Sequence, residues 1–483
     1  PIFKQNLRLH WYDQLLMEPA SLRYSAKAIL ALIASLLPSF AQGLDPTEIG
    51  RQPFVQRQAT PNVTQAAPQT LTLKDALELA QKNDPAYLSA LNDAAVAQED
   101  RAQARAAVLP TFGVRSEYLG TQGDGKLASG RFVTNDGVHV YRDWVTMHQD
   151  LSPGTFMRTG VKRAEAAVAV ARAKAEIARR GLSGTVTKAY YSLIVAQRKY
   201  ANAQQALDQA QRSLQISQDL ERGREVAHSD VVKSQLQYTA QDQAFREAKL
   251  AMESARLDLA VLLFRDFDEN FSIVDDLDVA PALPPIADVE AMAGRENPLL
   301  AQAMATLRGT DLDIAIARQA FLPSISLDPV YGIEANAFAL HSAVAANKEL
   351  GPLPNLGYFV TVSLNMPLWD WGVRRSKVKQ AELKREQANL DLSAAQRTLL
   401  RNLRGYFEEA QTAREQVALL RQTVDLASES LRLNTLRYQA GEATILELVD
   451  AQTTLTQARN AYDDGLVRYR VALGNLQTLT GTF

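Results

Sequence analysis

Short motifs in this chain recur at a nearly constant offset of 213 to 217 positions. Self-similarity at a fixed spacing constrains a fold strongly, because each copy must form the same unit. The paired segments are Asp84–Pro85 with Asn297–Pro298, Leu109–Pro110 with Leu322–Pro323, Tyr190–Tyr191 with Tyr406–Phe407, and Gln235 with Gln452. We therefore expect a duplicated unit, with repeats at residues 70–285 and 286–483, in which long helices are interrupted by short strands.

Charge and composition exclude several classes of protein. The formal net charge of the 483 residues is −2, so a nucleic-acid partner is not indicated. The absence of cysteine excludes disulfides, cysteine-based metal sites and a lipid anchor on cysteine. The histidines are scattered without metal-ligand spacing, and Asp275, Asp276 and Asp278 are expected to form a solvated acidic loop, with cation binding as the less favoured alternative. We expect no enzyme, no catalytic residue, no cofactor and no metal site.

Residues 1–41 have the pattern of an N-terminal extension and a signal peptide. Arg23 and Lys27 supply a basic region, 28–37 is a short apolar run, and Ser39 and Ala41 are small residues at the cleavage positions. The apolar run is too short to cross a bilayer, and a buried core helix is the alternative. Residues 42–69, rich in Gln, Pro and Thr, are expected to be a flexible linker.

Two segments predict unusually long helices, at residues 158–220 and 373–439. Each would extend roughly 90 Å at about 1.5 Å per residue, which is longer than a compact core requires. Apolar or small residues in the second recur at coiled-coil spacing. They are Val378, Ala381, Ala388, Leu392, Ala395 and Leu399. Gly223 and Gly441 mark hairpin turns, and return helices are expected over 230–264 and 444–480.

Between the helices the hydrophobic period changes to two. Val360, Val362 and Leu364 alternate with polar residues, which is typical of a strand with one apolar and one polar face. Strands are predicted in pairs within 111–151 and 323–369, joined by loops at 120–137 and 339–357. Four strands cannot close a barrel alone, so they must pack on a helix or be shared with other subunits. A transmembrane barrel requires this two-faced pattern.

The segment Tyr438–Gln452 reads YQAGEATILELVDAQ, with a glycine turn, an acidic pair and a following Ala-Gln. This segment, the MPLWDWG sequence of Met366–Gly372 and the duplication together resemble the TolC family of outer-membrane efflux and secretion channels, over residues 70–482. The resemblance implies a mainly α fold with a small transmembrane β part. In a homotrimer, three chains would form a twelve-stranded outer-membrane β-barrel continued by a long α-helical coiled-coil tunnel across the periplasm. Residues 265–285 and the C-terminal end are candidates for an equatorial region around the tunnel.

The resemblance also implies a function and partners. The chain would be a passive exit duct of a tripartite efflux pump or type I secretion system in the outer membrane of a Gram-negative cell. Its expected partners are a periplasmic adaptor protein, an inner-membrane transporter and outer-membrane lipid. The alternative is a periplasmic coiled-coil scaffold without a channel, which does not explain the paired alternating segments. The cargo cannot be inferred from the sequence.

The resemblance assigns candidate site residues at the hairpin tips. Glu447 and Asp450 match two acidic positions that form a ring at the pore constriction, and their alternative role is that of solvated residues on one helix face. Tyr438 and Asp230 match positions of a closed-state lock between helices. The arginine of that lock is replaced by Ala443, and Arg224 is the candidate substitute.

The two tips are also the expected docking sites of the adaptor. The docking candidates are Gly223, Val226, Gly441 and Ile445. Turn geometry and tip packing are the alternative roles of these four residues.

Overall fold

The computed structural model describes residues 69–120, 139–265, 270–279, 281–335, 338–345 and 352–481. The predicted signal peptide and nearly all of the predicted linker lie outside these ranges. The described residues belong to two compact units. One contains residues 111–149 and 327–362 and is built of strands. The other contains the helices, at 69–110, 150–326 and 363–481.

The first repeat opens with two short helices and ends in a long hairpin. Thr72 and Asp75 form a capping box at the start of the first helix, and Asp84 caps the second by accepting from the Tyr87 N–H. Pro85 is the first residue of that second helix, where a missing N–H does no harm. The helices are α1 (Leu73–Asn83), α2 (Pro85–Ala106), α3 (Pro153–Met157), α4 (Thr159–Arg222) and α5 (His228–Leu263).

The second repeat reproduces this series. Its helices are α6 (Ile286–Glu296), α7 (Pro298–Gln319), α8 (Val373–Gln439) and α9 (Ile445–Thr480). α1 and α6 have 11 residues each, α2 and α7 have 22 each, and α5 and α9 have 36 each. The long helices have 64 and 67 residues. The duplication predicted from the sequence is therefore confirmed for four pairs of helices, while the short helix α3 has no counterpart among the described helices of the second repeat. None of the described helices is apolar enough over a sufficient length to cross a membrane.

A four-stranded sheet forms most of the strand unit. Its strands are β2 (Thr111–Gly120), β3 (His139–Asp150), β5 (Ser324–Ala335) and β8 (Leu356–Asn365), in the order β2-β3-β5-β8. β2 and β3 are antiparallel. Val114 lies opposite Val145 on one face, while Glu117 lies opposite Arg142 on the other. The alternation predicted from the sequence is thus present as one mainly apolar face, which also carries the Ser116–Asp143 pair, and one face with charged pairs.

Two small sheets were not predicted. β1 (Gln69–Leu71) pairs in parallel with β4 (Phe271–Ile273), about 200 residues away in the chain. β6 (His341–Ala345) pairs with β7 (Pro352–Pro354) inside the segment expected to be only a loop. Both were missed because strands of three to five residues carry too little periodic signal to be recognised.

The helical unit has its core near the middle of the long helices. One cluster joins Tyr190, Tyr191 and Ile194 of α4 to Leu259 and Leu263 of α5. Tyr190 donates to the carbonyl oxygen of Val274 at 2.7 Å, so the buried phenol also fixes the segment that follows β4. A second cluster joins α6, α8 and α9 and includes Leu403, Ala410, Tyr469 and Leu476.

Asp275 and Asp278 of the predicted acidic loop are exposed, as expected, but two arginines also bind this loop. Arg198 donates to both carboxylate oxygens of Asp275, at 2.7 and 2.8 Å, and to Asp278 at 2.8 Å. Arg470 donates to the carbonyl oxygens of Asp276 and Val279. Burial raises the pKa of Asp275, but the Arg198 hydrogen bonds outweigh it, so this pKa lies below its ordinary value. The arginines leave no open set of carboxylates here, and no group among the described residues has the arrangement of a metal site.

Candidate gate at the two helical tips

The two hairpins turn with the same backbone geometry. Five residues separate the helices in each case, 223–227 in the first tip and 440–444 in the second. Three backbone hydrogen bonds close each turn. In the first tip the N–H groups of Gly223, Arg224 and Glu225 donate to the carbonyls of Asp219, Glu221 and Leu220, at 3.0, 2.8 and 2.9 Å. In the second tip the N–H groups of Ala440, Gly441 and Glu442 donate to the carbonyls of Leu436, Tyr438 and Arg437, at 3.0, 3.1 and 2.8 Å. The tips are therefore equivalent at an offset of 217.

The two tip glycines do not occupy equivalent positions of their turns. Gly441 occupies the left-handed position of its turn, with φ of 75°. The same position in the first tip is held by Arg224, with φ of 62°, while Gly223 has an ordinary φ of −73°. A left-handed conformation costs a residue with a Cβ roughly 1–2 kcal/mol. The first tip therefore carries backbone strain that the second avoids.

Residues at the start of the return helices differ as well. Thr444 and Glu447 form a capping box, in which Glu447 Oε1 accepts from the Thr444 N–H at 3.3 Å. Arg437 Nη1 lies 3.2 Å from the other carboxylate oxygen of Glu447. The Thr444 backbone hydrogen bond, helped by Arg437, lowers the pKa of Glu447 below its ordinary value. Ala227, the equivalent of Thr444, provides no side-chain cap.

The structure places the two predicted pore carboxylates in the first two turns of α9. Glu447 and Asp450 are both exposed, and their spacing of three puts them on neighbouring positions of one helix surface. Glu447 is held by its cap and by Arg437. Asp450 makes no side-chain hydrogen bond or ion pair with any described residue of the chain. The carboxylate ring, which requires other copies of the chain, stays a prediction.

The two predicted lock residues have different partners within one chain. Tyr438 is 2 % exposed, and its hydroxyl lies 2.8 Å from Ser217 Oγ. Asp230 faces Lys233, with 3.7 Å between carboxylate and amine. A lock between Tyr438 and Asp230 is not formed inside this chain and stays a prediction. Arg224 is exposed at the tip, and its role as the substitute arginine is equally untested.

Tyr438 belongs to a buried polar network that the sequence did not reveal. Ser217 donates its only hydroxyl hydrogen to the Ser213 carbonyl at 3.0 Å, so it accepts from both Tyr438 and Ser234, the latter at 2.7 Å. Gln452 Nε2 donates to Ser213 Oγ at 2.7 Å. We call these five buried residues the serine network. It joins α4, α5, α8 and α9. Removing the Ser217 hydroxyl would take away the partner of the buried Tyr438 hydroxyl, and an unpaired buried polar group costs about 1–3 kcal/mol.

The serine network escaped prediction because a serine inside a helix carries no positional signal. The only hint was Gln452, whose recurrence at Gln235 was used to detect the repeat. A glutamine at a buried seam position requires a polar partner, since an unpaired buried amide is unfavourable. That requirement indicates a partner on a facing helix but does not identify Ser213.

The docking candidates are not equally accessible. Gly223 and Gly441 are exposed and Val226 is half-buried. Ile445 is only 1 % exposed, because it packs in a cluster with Tyr438 and Leu448. Within this chain Ile445 has the alternative role, tip packing, and its part in adaptor docking stays a prediction. The next residue, Leu446, is 60 % exposed and was missed by the sequence.

A duplicated unit with a four-stranded sheet and two long hairpins is the architecture that the resemblance to the TolC family implies. The family model described as "Outer membrane efflux protein" matches residues 76–263 and 291–482. The chain therefore belongs to this family. The predicted family, fold class and outer-membrane localisation are confirmed at this level. The twelve-stranded trimeric barrel stays an inference from the family.

Known relatives and solved structures agree with this assignment. The outer membrane protein OprJ of Pseudomonas aeruginosa is 26 % identical over 62 % of this chain, and TolC of Escherichia coli is 26 % identical over 34 %. The alignments cover 61 % of OprJ and 34 % of TolC, less than two thirds of either protein. The CmeC outer membrane channel of Campylobacter jejuni matches with a TM-score of 0.73 at 17 % identity, over 85 % of both chains. At this identity the solved structure shows the fold alone.

Proposed function

We propose that this protein is the outer-membrane channel of a tripartite export system and serves as its passive exit duct. The observation that carries the proposal is the two-faced sheet. Phe112 and Val114 of β2 and Val362 of β8 expose the apolar face. On the other face, Arg142 lies between Glu117 and Glu334, at 3.1 and 2.9 Å. A barrel wall requires apolar side chains towards lipid and polar ones towards the lumen.

A second copy of the chain would complete the sheet. β2 and β8 stand at the two ends of the strand order, so each has an edge without a partner among the described strands. Open edges of this length are unfavourable in a membrane, because the unpaired backbone groups find no water there. Pairing β8 of one copy with β2 of the next uses two different surfaces. Contacts of this kind close into a ring when the rotation fits, which supports the homotrimer.

Two exposed leucine stripes support the same assembly. On α8, Leu419, Leu426 and Leu433 are exposed and recur every seven residues. On α5, Leu250 and Leu257 are exposed with the same spacing. A heptad stripe is typical of a coiled-coil seam that faces another helix, and no described residue of the chain covers either one. We assign the two stripes to contacts between neighbouring copies.

Opening would separate the two hairpins at their tips. The serine network and the cluster around Tyr438 and Ile445 hold the α8–α9 hairpin against α4. An iris-like movement would exchange this packing for another, as in other two-state helix rearrangements. A periplasmic adaptor would bind at the tips, where Gly223, Gly441 and Leu446 are exposed. An inner-membrane transporter would supply the energy.

The relatives support export but select no cargo. One is named for cobalt-zinc-cadmium resistance in Cupriavidus metallidurans and another for pyoverdine export in Pseudomonas putida. With 7 methionines and 5 histidines in 483 residues, the chain offers few soft ligands for a dedicated metal path. We therefore propose an aqueous duct whose selectivity is set by the transporter.

Single-channel conductance of the detergent-purified protein in a planar bilayer tests the proposal. We expect small cation-selective steps, because Glu447 and Asp450 of three chains would ring one constriction. The double substitution E447Q/D450N should reduce cation selectivity and raise conductance. E253Q/D258N, an exposed acidic pair on α5, is the matched control and should change neither. A protein that gives no steps and stays in solution without detergent would instead be a periplasmic scaffold.

A further inference from the structure

Two aromatic rings lie on the charged face of the four-stranded sheet. Trp144 stands two residues after Arg142 in β3, so strand alternation places both side chains on the same face. Phe359 of β8 meets Trp144 edge to face, with ring centroids 5.7 Å apart, although β5 lies between their strands. Rings on the other face would contact lipid, but the charged face of a barrel wall is turned to the lumen. Lipid therefore does not explain Trp144 and Phe359.

A cavity of about 190 Å³ lies beside these rings. Gly332 of β5 and Gly357 of β8 line it, and because neither residue has a side chain, backbone forms part of the cavity wall. A Cβ on Gly357 would meet no atom within 4 Å, so the space next to this residue is open. A cavity of roughly 150 Å³ is enough to hold a benzene ring. The space beside Trp144 and Phe359 therefore suits a small planar ring system.

A carboxylate gives the cavity its charge. Among the described residues that line it, Glu334 alone is charged, and its side chain is 45 % exposed. Arg142 Nε lies 2.9 Å from Glu334 Oε1, and the same guanidinium lies 5.3 Å from the Trp144 ring centroid. Arg142 therefore positions both the carboxylate and the indole. Carboxylates and aromatic ring faces both attract cations, so the wall favours a cationic ligand over an anionic one.

We propose that this cavity, which we call the lumen slot, binds planar aromatic cations as they pass through the barrel. Trp144 and Phe359 would contact the ring of the ligand and exclude water from it. Glu334 would pair with its cationic group. Because the slot opens to the lumen, it would hold such a molecule only briefly. The inference rests on the proposed function, since it requires the charged face to line a lumen.

Transient block of single channels tests the lumen slot. The probe is naphthylmethylammonium, a planar aromatic cation, and the measured quantity is the mean duration of each block. Naphthalenesulfonate has the same rings with the opposite charge and should give no blocks of comparable duration. We expect W144A to shorten the blocks by the cation about fivefold. E334Q should shorten them about threefold, because the carboxylate is partly exposed to water.

Two further variants control for indirect effects of W144A. G357L places a side chain in the open space of the slot and keeps both rings, so it should abolish the long blocks. Y118A removes an exposed ring from the other face of the sheet and should leave the block duration unchanged. Blocks of wild-type duration in both W144A and G357L would overturn the inference.

The proposed carboxylate ring also attracts cations, so the same blocks are measured in E447Q/D450N. Blocks that disappear in E447Q/D450N and persist in W144A would assign them to the constriction and refute the lumen slot. A wild type that conducts but shows no blocks by the cation would refute the slot alone. A wild type without conductance steps would refute the proposed function, and the slot with it.

Discussion

The two hairpin tips share one backbone and differ in almost everything else. Both use five residues and the same three hydrogen bonds. The second tip has glycine at its left-handed position, a capping box and a packed apolar cluster. The first tip has a strained Arg224 and no side-chain cap. Duplication has preserved the turn, while side chains have made one tip much better packed than the other.

This difference in capping and packing indicates that the two tips move differently when the channel opens. A tip with its own cap and a core formed mainly by its own two helices can move as a rigid body, because most of its contacts are internal. The first tip gains less from its own side chains and depends more on its neighbours. We therefore expect the α8–α9 tip to move as a unit during opening. It is attached to α4 by the serine network and by the apolar contacts of Ile216 and Leu220.

The largest predicted difference concerns the tip cores. Leu448 is fully buried in the second tip, and Val231, its counterpart at an offset of 217, is half-buried in the first. L448A should lower the free energy of unfolding by about 3 kcal/mol, since it leaves a cavity. V231A should cost about 1 kcal/mol. Chemical denaturation measures both, with L446A as an exposed control near zero, and equal losses for L448A and V231A would refute the comparison.

Substitutions at the two left-handed positions, Arg224 and Gly441, should change tip stability in opposite directions. R224G relieves strain and should stabilise the first tip by about 1 kcal/mol, less the entropy that glycine adds to the unfolded chain. G441A introduces the same strain and should destabilise the second tip by about 1 kcal/mol. Hydrogen exchange of the two turns reports each change locally. Destabilisation by R224G would show that its side chain makes a contact worth more than the strain.

The N-caps of α5 and α9 should contribute a smaller difference in stability between the two tips than the cores do. T444A removes the capping box and should destabilise the second tip by about 1 kcal/mol. A227T places a hydroxyl at the equivalent position, three residues before Asp230, and should stabilise the first tip by several tenths of a kcal/mol. Protection of the first amides in α5 and α9 checks both. A227T without effect would mean that the first tip cannot adopt the capped geometry.

Lowering the pH should destabilise the start of α9 in the second tip more than the first tip. The pKa of Glu447 is lowered in the folded chain by the Thr444 hydrogen bond. Its contribution to stability is therefore complete above the ordinary glutamate pKa, and it is lost as the pH falls through the lowered value. Amide protection at the start of α9, corrected for intrinsic exchange, should decline in that range. E447Q should abolish the decline, and R437Q should shift it to higher pH; a decline that persists in E447Q would contradict this assignment.

The sequence predicted the elements well and their long-range contacts poorly. The bounds of α8 were predicted to the residue, because helical periodicity over 67 residues is a strong local signal. The pairing of Asp275 and Asp278 with Arg198 was not predicted, because Arg198 lies about 77 residues away in the chain. The usual preference for glycine at a left-handed position holds for Gly441 but not in the first tip, where Arg224 and not Gly223 is left-handed. Residue preference alone does not determine which residue of a turn adopts the left-handed conformation.

For the site residues, too, the sequence predicted positions in the chain better than contacts between helices. Glu447 and Tyr438 were identified from a motif that the chain resembles, and the motif correctly locates the tip. The partners of Tyr438 were invisible, since Ser217 and Ser234 lie on α4 and α5 and have no distinctive spacing. The burial of Ile445 was left open between docking and tip packing, because its motif position says nothing of burial. Packing between helices decides these cases, and it is a property of the folded chain.

The most direct test of the account is the conductance of Y438F. This substitution removes the hydroxyl that joins α8 to Ser217 while keeping the buried ring. Y469F is the matched control, since Tyr469 is equally buried and donates one hydrogen bond, to the Pro281 carbonyl. We predict that Y438F opens more often or conducts more than the wild type in a planar bilayer, and that Y469F does not. Unchanged conductance in Y438F would contradict the claim that the serine network holds the gate.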